Sequence, residues 1–186
     1  ICNIVKEYEG IVVRSATKIT KKIIQSGKKL KVLGRAGIGV DNIDIEAATN
    51  NGIVVMNTPF GNSITTAEHT ISLMMSLARN IPQASKSTKE GKWEKTRFMG
   101  TELFGKTLGM IGCGNIGSLV VERCLGLKMK VFVYDPFLSK DQTEKIGAKK
   151  VELEEILMHS DFITLHTPLT DKTKNILNKN NLSKCK

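Results

Sequence analysis

The glycine-rich segment Gly112–Gly117 is the feature that most restricts how this chain can fold. It reads GCGNIG and lies between an apolar β-type run, Leu108–Ile111, and a helical stretch, Ile116–Gly126. A strand that turns through such glycines directly into a helix is typical of the first βαβ unit of a dinucleotide-binding domain. Val131–Tyr134 supplies the next apolar run. The sequence therefore predicts a parallel sheet covered by helices in this half of the chain.

Each position of this turn has a physical role in that interpretation. Gly112 permits the tight turn, Gly114 lets the backbone approach a pyrophosphate, and Gly117 allows the helix to pack closely on the strand. The pyrophosphate would rest on N–H groups at the positive end of the helix. Asp135, at the end of the next strand, can accept hydrogen bonds from both ribose hydroxyls and would repel a 2′-phosphate, which predicts NAD rather than NADP. The alternative is an ordinary strand–turn–helix corner that binds nothing.

The rest of the chain alternates short apolar runs with helical stretches, which predicts an α/β fold. The predicted strands are Gly10–Arg14, Lys31–Arg35, Ile53–Met56, Leu108–Ile111, Val131–Tyr134 and Phe162–Leu165. The predicted helices are Lys18–Ser26, Ile45–Asn50, Thr65–Arg79, Ile116–Gly126 and Leu153–Met158.

Residues 80–106 interrupt this alternation of strands and helices. Pro82 is expected to end the preceding long helix, Thr65–Arg79. We predict a turn-rich connector there. The strands within residues 1–79 would then belong to one sheet, and those within residues 107–186 to a second sheet. Because two sheets share only 186 residues, both flavodoxin- or Rossmann-like parallel-sheet domains are expected to be incomplete, as in a chain cut at both ends.

Two arginines close the first two predicted strands. Arg14 and Arg35 are separated by a single helix, as in one βαβ unit. The carboxyl ends of parallel strands lie at the ligand-binding edge of such a sheet, so two guanidinium groups there could hold a phosphate or carboxylate. The N–H groups of the Gly37–Gly39 loop could also bind a carboxylate. The alternative is that either arginine pairs with a surface acid such as Asp41 or Glu9.

The three histidines have no obvious acidic partner for general acid–base chemistry. His69 lies within a predicted helix and His159 ends another. His166 follows the last predicted strand and is expected to be structural, whereas Thr167 and Pro168 after it are expected to lie near the nicotinamide half of a dinucleotide. No Ser-His-Asp set and no metal-ligand spacing occurs, so we predict neither a catalytic residue nor a metal site within this chain.

The formal charge of +10, from 28 basic and 18 acidic residues, could suggest a nucleic-acid partner. The lysines are scattered, however, and only 5% of the residues are aromatic, so a solvated surface is the preferred interpretation. A nucleic-acid role would predict steeply salt-dependent DNA binding. Four cysteines without paired spacing favour a reducing cytoplasm. The longest apolar stretches are far shorter than the ~20 residues that a membrane span requires.

Several segments resemble the D-isomer-specific 2-hydroxyacid dehydrogenase family. They include GIVVRSATKIT, KVLGRAGIGVDNIDIEAAT, GKTLGMIGCGNIG and DFITLHTPLT, and the resemblance covers essentially the whole chain. The segments VRSAT, FMGTEL and GNS resemble, more narrowly, those members that act on a phosphorylated acid. The resemblance implies NAD-dependent oxidation of D-3-phosphoglycerate at C2, the first step of serine synthesis. It also implies a homodimer or higher homo-oligomer, which the long helix and the connector 80–106 help to build. Residues 1–79 would be part of the substrate-binding domain and residues 107–186 part of the NAD-binding domain, with NAD in the cleft between the two domains.

The same resemblance implies roles for individual residues. Substrate-binding positions are matched by Arg14, Arg35, Gly37, Ile38, Gly39 and Asn62. NAD-binding positions are matched by Gly112, Gly114, Asn115, Ile116, Gly117, Asp135, Thr167 and Pro168. Ile38 stands where close relatives can carry Thr, so a side-chain hydrogen bond to cofactor would be lost there. The family's carboxylate-binding arginine, its catalytic histidine and the glutamate that tunes it lie downstream of the segment matching Leu182–Lys186, so this chain alone is expected to be inactive.

Two other functions remain open at this point. Within the same enzyme class, the substrate could be another, unphosphorylated D-2-hydroxy acid. The scaffold also resembles the C-terminal binding protein corepressors, in which NAD-linked dimers serve as binding modules. That function predicts binding of partner peptides with weak turnover.

Overall fold

The computed structural model describes all residues, Ile1–Lys186, which form two compact units, Ile1–Asn62 and Ser63–Lys186. The first unit contains a three-stranded parallel sheet and the second a four-stranded parallel sheet. The predicted α/β class with parallel sheets is therefore confirmed. No helix combines the length and the apolar character needed to cross a bilayer.

The first unit is built from two βα repeats and a closing strand. Its elements are a 3-10 turn at Val5–Glu7, strands β1 (Gly10–Val13), β2 (Val32–Arg35) and β3 (Val54–Asn57), and helices α1 (Lys21–Ser26) and α2 (Ile45–Asn50). The strand order is β1-β2-β3, and Val13, Arg35 and Asn57 are paired in register. The carboxyl ends of the three strands therefore meet at one edge of the sheet.

The core of the first unit explains why these short runs become strands and helices. Leu33 in the central strand is fully buried, and Ile24 of α1 and Ala48 of α2 pack in the same core. The buried apolar residues come from both helices and from the sheet, as expected for a βαβ layer. Asp44 caps α2 by accepting a 2.9 Å hydrogen bond from the Ala47 N–H, which satisfies one of the free donors of the helix start.

The second unit contains the remaining elements. Its helices are α3 (Ser63–Ala78), α4 (Ile81–Lys89), α5 (Asn115–Gly126), α6 (Lys140–Lys145), α7 (Leu153–His159) and α8 (Lys179–Leu182), with a 3-10 turn at Lys95–Phe98. Its strands are β4 (Thr107–Ile111), β5 (Lys130–Tyr134), β6 (Lys149–Lys150) and β7 (Phe162–Leu165). The sheet order is β6-β5-β4-β7, so β4, which precedes the glycine turn, lies in the middle.

The long helix α3 packs in the second unit, whereas the sequence analysis assigned it to residues 1–79. Ala67, Met74 and Ala78 are buried in the same apolar core as Val120 and Val121 of α5. The small alanine side chains allow the two helices to approach each other closely. The apolar side chains along one face of α3 correctly predicted a helix that packs against a core. They do not specify which of the two cores the helix packs against.

The predicted turn-rich connector is wrong for its first part, where α4 forms over Ile81–Lys89. Asn80 adopts a left-handed conformation (φ 51°) between α3 and α4. Pro82 lies in the first turn of α4, where its missing N–H group costs nothing because the first amides of a helix have no acceptor within it. Pro82 therefore starts a new helix in addition to ending the previous one.

Two further elements, α6 and β6, were not predicted. Helix α6 begins with a capping box in which Ser139 Oγ accepts from the Gln142 N–H at 3.2 Å and Gln142 Oε1 accepts from the Ser139 N–H at 2.8 Å. This S-x-x-Q pattern is a sequence signal for a helix start. Strand β6 has only two residues, Lys149 and Lys150, and pairs with the edge of β5. Two lysines form no apolar run, so the sequence gives no signal for this strand.

Candidate dinucleotide and anion sites

The glycine turn, Gly112–Gly117, connects the central strand β4 to α5. Gly112 has φ +84°, a conformation that residues with a side chain rarely adopt. A Cβ atom there would also lie 2.6 Å from Thr167 Cγ2 and 2.7 Å from the His166 carbonyl oxygen. Gly112 is therefore required both by the backbone conformation and by the adjacent end of β7.

The other two glycines of the turn differ sharply in their surroundings. A Cβ atom on Gly117 would lie 2.9 Å from the Gly112 carbonyl oxygen and 3.0 Å from Met110 Sδ, so Gly117 allows α5 to start against the strand. A Cβ atom on Gly114, in contrast, would have no protein atom within 4 Å. Nothing within the fold requires a glycine at position 114, whereas close approach of a ligand to the backbone does.

The N-terminus of α5 presents backbone donors that the protein itself leaves unused. The N–H groups of residues 114–117 donate to no protein acceptor, and the N-cap Gly114 has no side chain to cap them. Helices α2 and α6, by comparison, are capped by Asp44 and Ser139. Free amides at the positive end of a twelve-residue helix suit the pyrophosphate of a dinucleotide.

Asp135 is buried beside the glycine turn and makes two backbone contacts. Its Oδ2 accepts a 2.8 Å hydrogen bond from the Cys113 N–H, and its Oδ1 accepts a 2.8 Å hydrogen bond from the Phe137 N–H. Each carboxylate oxygen retains a second lone pair that could accept from a ribose hydroxyl. The sequence motif placed Asp135 at this strand end, but it gave no sign of the contact with Cys113, because the donor is a backbone amide.

The end of β7 lies next to the same turn. The His166 N–H donates to the Ile111 carbonyl at 2.8 Å, and its Nε2 lies 3.0 Å from Thr164 Oγ1. Burial lowers the pKa of His166, which keeps the ring neutral at physiological pH. Thr167 is half-buried against Gly112, and Pro168 is exposed. Thr167 therefore lies beside the glycine turn, and Pro168 follows it in the chain.

No histidine in this chain is paired with a carboxylate. His69 and His159 are exposed on helices, and the His166 ring contacts a threonine. The structure also contains no cluster of three His, Cys, Asp or Glu side chains arranged to hold a metal ion.

Two cysteines near this site should be chemically inert in the native protein. Burial, with the Asp135 charge as a second cause, raises the pKa of Cys113 to about 11, and burial raises the pKa of Cys124 to about 11. The thiolate is the reactive form, and at pH 8 only about one in a thousand of these thiols would be ionised at any moment, so their alkylation should be slow. We expect iodoacetamide to label the half-buried Cys2 and Cys185 first, as measured by mass spectrometry.

The control is labelling in about 8 M urea, a concentration that unfolds most domains. In the unfolded chain all four cysteines should react at similar rates. The difference between native and unfolded rates should shrink as the pH rises towards 11, because the buried thiols then begin to ionise. Rapid labelling of Cys113 at pH 8 would contradict the burial of the glycine turn.

The arginine edge comprises Arg14, Arg35 and the Gly37–Gly39 loop at the carboxyl ends of β1 and β2. Arg14 follows β1 directly and is exposed; Arg35 is the last residue of β2 and is half-buried. Neither guanidinium forms an ion pair, whereas Glu9, a suggested alternative partner, pairs with Lys31 at 2.7 Å. Neither guanidinium of this edge therefore has a carboxylate within 4.0 Å, although Asp41 Oδ1 lies close to Gly39 of the loop.

Arg35 lies directly against Gly37. Its Nη1 donates to the Ala36 carbonyl at 3.3 Å, while its buried Nε has no partner. A Cβ atom on Gly37 would lie 1.2 Å from Arg35 Nη1, so a side chain at position 37 would force the guanidinium to move. An arginine with most of its donors unused is suited to bind an anion, because unpaired buried donors are costly.

The loop after Arg35 is tethered to the end of β3. The Gly37 carbonyl accepts from the Thr58 N–H at 3.0 Å, and the Ile38 carbonyl accepts from Asn57 Nδ2 at 2.7 Å. The Gly37 N–H donates to the Arg35 carbonyl at 2.9 Å and is therefore not free for a ligand, whereas the N–H groups of Ile38 and Gly39 have no protein acceptor. Asn62 is exposed at the end of the first unit.

The sequence analysis missed one residue at this edge, Asn42. It is buried, and its Nδ2 donates both to the Arg14 carbonyl at 2.9 Å and to the Thr17 carbonyl at 2.7 Å. An asparagine in a loop is usually exposed, and the sequence around it contains no signal that distinguishes a buried one.

Comparison with known proteins identifies the family of this chain. Residues 71–186 match the family described as "D-isomer specific 2-hydroxyacid dehydrogenase, NAD binding domain". The chain is 53% identical over 186 residues to D-3-phosphoglycerate dehydrogenase of Synechocystis sp., and this match covers 100% of the chain and 34% of that relative. The chain thus spans about a third of the length of this curated relative.

Solved structures of dehydrogenases superpose on this chain. D-lactate dehydrogenase from Aquifex aeolicus, complexed with NAD and lactic acid, superposes with a TM-score of 0.93 at 30% identity, covering 100% of this chain and 56% of that one. The NAD⁺-bound 3-phosphoglycerate dehydrogenase of Entamoeba histolytica superposes with a TM-score of 0.81 at 38% identity, covering 100% and 55%. The chain therefore belongs to the D-isomer specific 2-hydroxyacid dehydrogenases, a family of NAD-dependent oxidoreductases, and residues 71–186 form its NAD-binding domain.

Proposed function

We propose that this chain supplies the NAD-binding and phosphate-binding parts of an enzyme that oxidises D-3-phosphoglycerate to 3-phosphohydroxypyruvate. The observation that carries the proposal is the arginine edge, where Arg14 and Arg35 lie at the carboxyl ends of adjacent parallel strands and neither is paired with an acid. Two unpaired guanidinium groups suit a phosphate better than they suit a small unphosphorylated acid. The Synechocystis relative named D-3-phosphoglycerate dehydrogenase, at 53% identity, supports the same substrate.

In the proposal, each set of residues has a separate task. Arg14 and Arg35 bind the phosphate, Asn62 contributes a polar contact to the substrate, and the free N–H groups of Ile38 and Gly39 bind the carboxylate. NAD, when bound, supplies the hydride acceptor for C2. The amides of residues 114–117 bind the pyrophosphate, and Asp135 accepts hydrogen bonds from the ribose. Thr167 and Pro168 line the nicotinamide half. The resulting pathway step is the first of serine biosynthesis.

The substrate is tested with the full-length protein that contains these residues. NADH formation is measured with D-3-phosphoglycerate and with unphosphorylated D-glycerate and D-lactate. We expect kcat/KM to be higher for the phosphorylated acid by about 100-fold or more, the value of roughly 3 kcal/mol of charge-assisted binding. Equal kcat/KM for a phosphorylated and an unphosphorylated acid would exclude the phosphate site. Binding of a partner peptide with negligible turnover on every acid would favour the corepressor-type module instead.

The proposal includes assembly as a homodimer or higher homo-oligomer in the cytoplasm. Exposed apolar side chains on the helices of the second unit support self-association: Leu73, Leu77 and Ile81 are 57%, 72% and 51% exposed. Exposed apolar surface of this kind is typical of an interface. Sedimentation equilibrium of the full-length protein measures the oligomeric state directly.

The isolated 186-residue chain is expected to show no turnover of D-3-phosphoglycerate. None of its three histidines contacts a carboxylate, so no residue is arranged to remove the proton from the C2 hydroxyl. NADH formation by the purified chain is the measurement, with the full-length protein at equal concentration as the control. Turnover by the chain within tenfold of the full-length rate (a loss of only about 1.4 kcal/mol) would show that a catalytic base lies within these residues.

A further inference from the structure

Asn42 uses both N–H groups of its side-chain amide to hold the loop that follows β1, while its buried Oδ1 has no hydrogen-bond partner. Its Nδ2 carries two hydrogens, and it lies 2.9 Å from the Arg14 carbonyl oxygen and 2.7 Å from the Thr17 carbonyl oxygen. Both acceptors belong to one short loop. Because a planar amide directs its two N–H bonds at a fixed angle, Asn42 fixes the shape of the chain between Arg14 and Thr17.

The backbone around Asn42 strengthens this attachment. The Asn42 carbonyl accepts from the Ile19 N–H at 2.8 Å, and the Ile19 carbonyl accepts from the Asp44 N–H at 2.9 Å. Ile19 and Ile43 form an isolated parallel bridge and are both buried in the core of the first unit. Asn42 is thus anchored to the core on one side and to the Arg14 loop on the other.

The backbone on both sides of Arg14 is held by hydrogen bonds, whereas its guanidinium forms no ion pair. The Val13 carbonyl, before it, accepts from the Ala36 N–H at 2.9 Å, and its own carbonyl accepts from Asn42. The carbonyls on both sides of its Cα atom are therefore fixed, by residues 36 and 42 of the loop that follows Arg35. Its exposed guanidinium makes no ion pair, so the direction of the side chain depends on how the backbone is held.

We propose that Asn42 is a positioning residue of the arginine edge, which sets the direction of Arg14 towards the phosphate and couples it to the loop that follows Arg35. The inference rests on the proposed function, since it assigns Asn42 to that same phosphate site. Without the amide, the Arg14 and Thr17 carbonyls lose their protein donor, the loop relaxes, and Arg14 spends less time in the binding orientation.

The test uses two variants of the full-length enzyme. Asn42→Asp keeps the size of the side chain but removes both N–H donors, and Asn42→Ser removes them without adding a charge. We expect both variants to raise the KM for D-3-phosphoglycerate and the competitive inhibition constant of inorganic phosphate by about tenfold, or about 1.4 kcal/mol. The kcat and the KM for NAD should change less than twofold. The control is Asn51→Asp, since Asn51 Nδ2 donates to the Ala47 carbonyl at 2.8 Å at the end of α2, away from Arg14.

A double-mutant cycle separates positioning from general destabilisation. In an Arg14→Ala background the Asn42 substitutions should have no further effect on either constant, because there is no guanidinium left to direct. An equal effect with and without Arg14, or an unchanged KM in the single variants, overturns the inference. If Asn42→Asp proves too unstable to assay, Asn42→Ser carries the same cycle. Failure of the proposed function is distinct, since the wild type would then show no preference for D-3-phosphoglycerate.

Discussion

Replacing Gly114 with valine should weaken NAD binding by about 100-fold, or about 2.8 kcal/mol, and leave thermal unfolding of the protein almost unchanged. A Cβ atom at this position would have no protein atom within 4 Å, and the backbone is extended (φ −81°, ψ −150°) with a negative φ, which residues other than glycine adopt. The valine side chain would instead occupy the space over the free amides of α5, where we propose that the pyrophosphate binds. Isothermal titration with NAD measures the affinity, and a thermal melt measures the stability.

Gly112→Ala is the matched control and should behave in the opposite way. Its φ of +84° and the contacts of 2.6 Å and 2.7 Å that a Cβ would make with Thr167 and His166 predict a loss of about 3 kcal/mol of folding free energy. The two glycines lie two positions apart in one motif. Comparing the two variants therefore distinguishes a glycine that is needed for ligand binding from one that is needed for folding. A Gly114→Val protein that binds NAD normally, or that melts as early as Gly112→Ala, would contradict this assignment.

Replacing Arg35 with alanine should raise the KM of the full-length enzyme for D-3-phosphoglycerate by about 100-fold. A bidentate, charge-assisted hydrogen bond between a guanidinium and a phosphate contributes roughly 3 kcal/mol of binding free energy. Arg14→Ala should act in the same direction. The KM for an unphosphorylated 2-hydroxy acid should change less than twofold, because neither guanidinium then has a phosphate to bind. Steady-state kinetics with both substrates measures the difference.

Two further variants sharpen the assignment of Arg35. Gly37→Ala should reproduce part of the Arg35→Ala effect although it leaves every charge in place, because the new Cβ would lie 1.2 Å from Arg35 Nη1 and displace the guanidinium. Arg97→Ala is the control for general loss of positive charge; Arg97 pairs with Glu94 at 3.0 Å in the second unit. An unchanged KM in Arg14→Ala and Arg35→Ala would remove the phosphate from this edge.

The sequence predicted the strands and the glycine turn well because their signals are local. Phe162–Leu165 forms a strand with the predicted bounds, and β4 differs by one residue at its start. A buried parallel strand requires an uninterrupted apolar run, and the turn requires its glycines, so both are visible in a short window. The positions of Arg14 and Arg35 at one edge of the sheet follow from the same rule, because parallel strands end at one edge.

The features that the sequence did not predict depend on partners far away in the chain. Nothing in the stripe of α3 indicates that it packs on α5 rather than on the first sheet. The contact of Asp135 with the Cys113 amide and the contacts of Asn42 with two carbonyls involve backbone groups, which every residue carries. Pro82 ended one helix, as predicted, but only the structure shows that it also lies in the first turn of the next.

The double attachment of Asp135 bears on any attempt to redesign the coenzyme preference of this enzyme. Removal of the carboxylate is the obvious first step towards accepting a 2′-phosphate, yet this carboxylate also accepts the N–H groups of Cys113 and Phe137. In Asp135→Asn one of these N–H donors would face the NH₂ group of the new side chain and lose its acceptor. In the proposed site, coenzyme choice and the shape of the glycine turn would therefore be coupled through one side chain, and a redesign would have to supply a substitute acceptor before it could exchange the coenzyme.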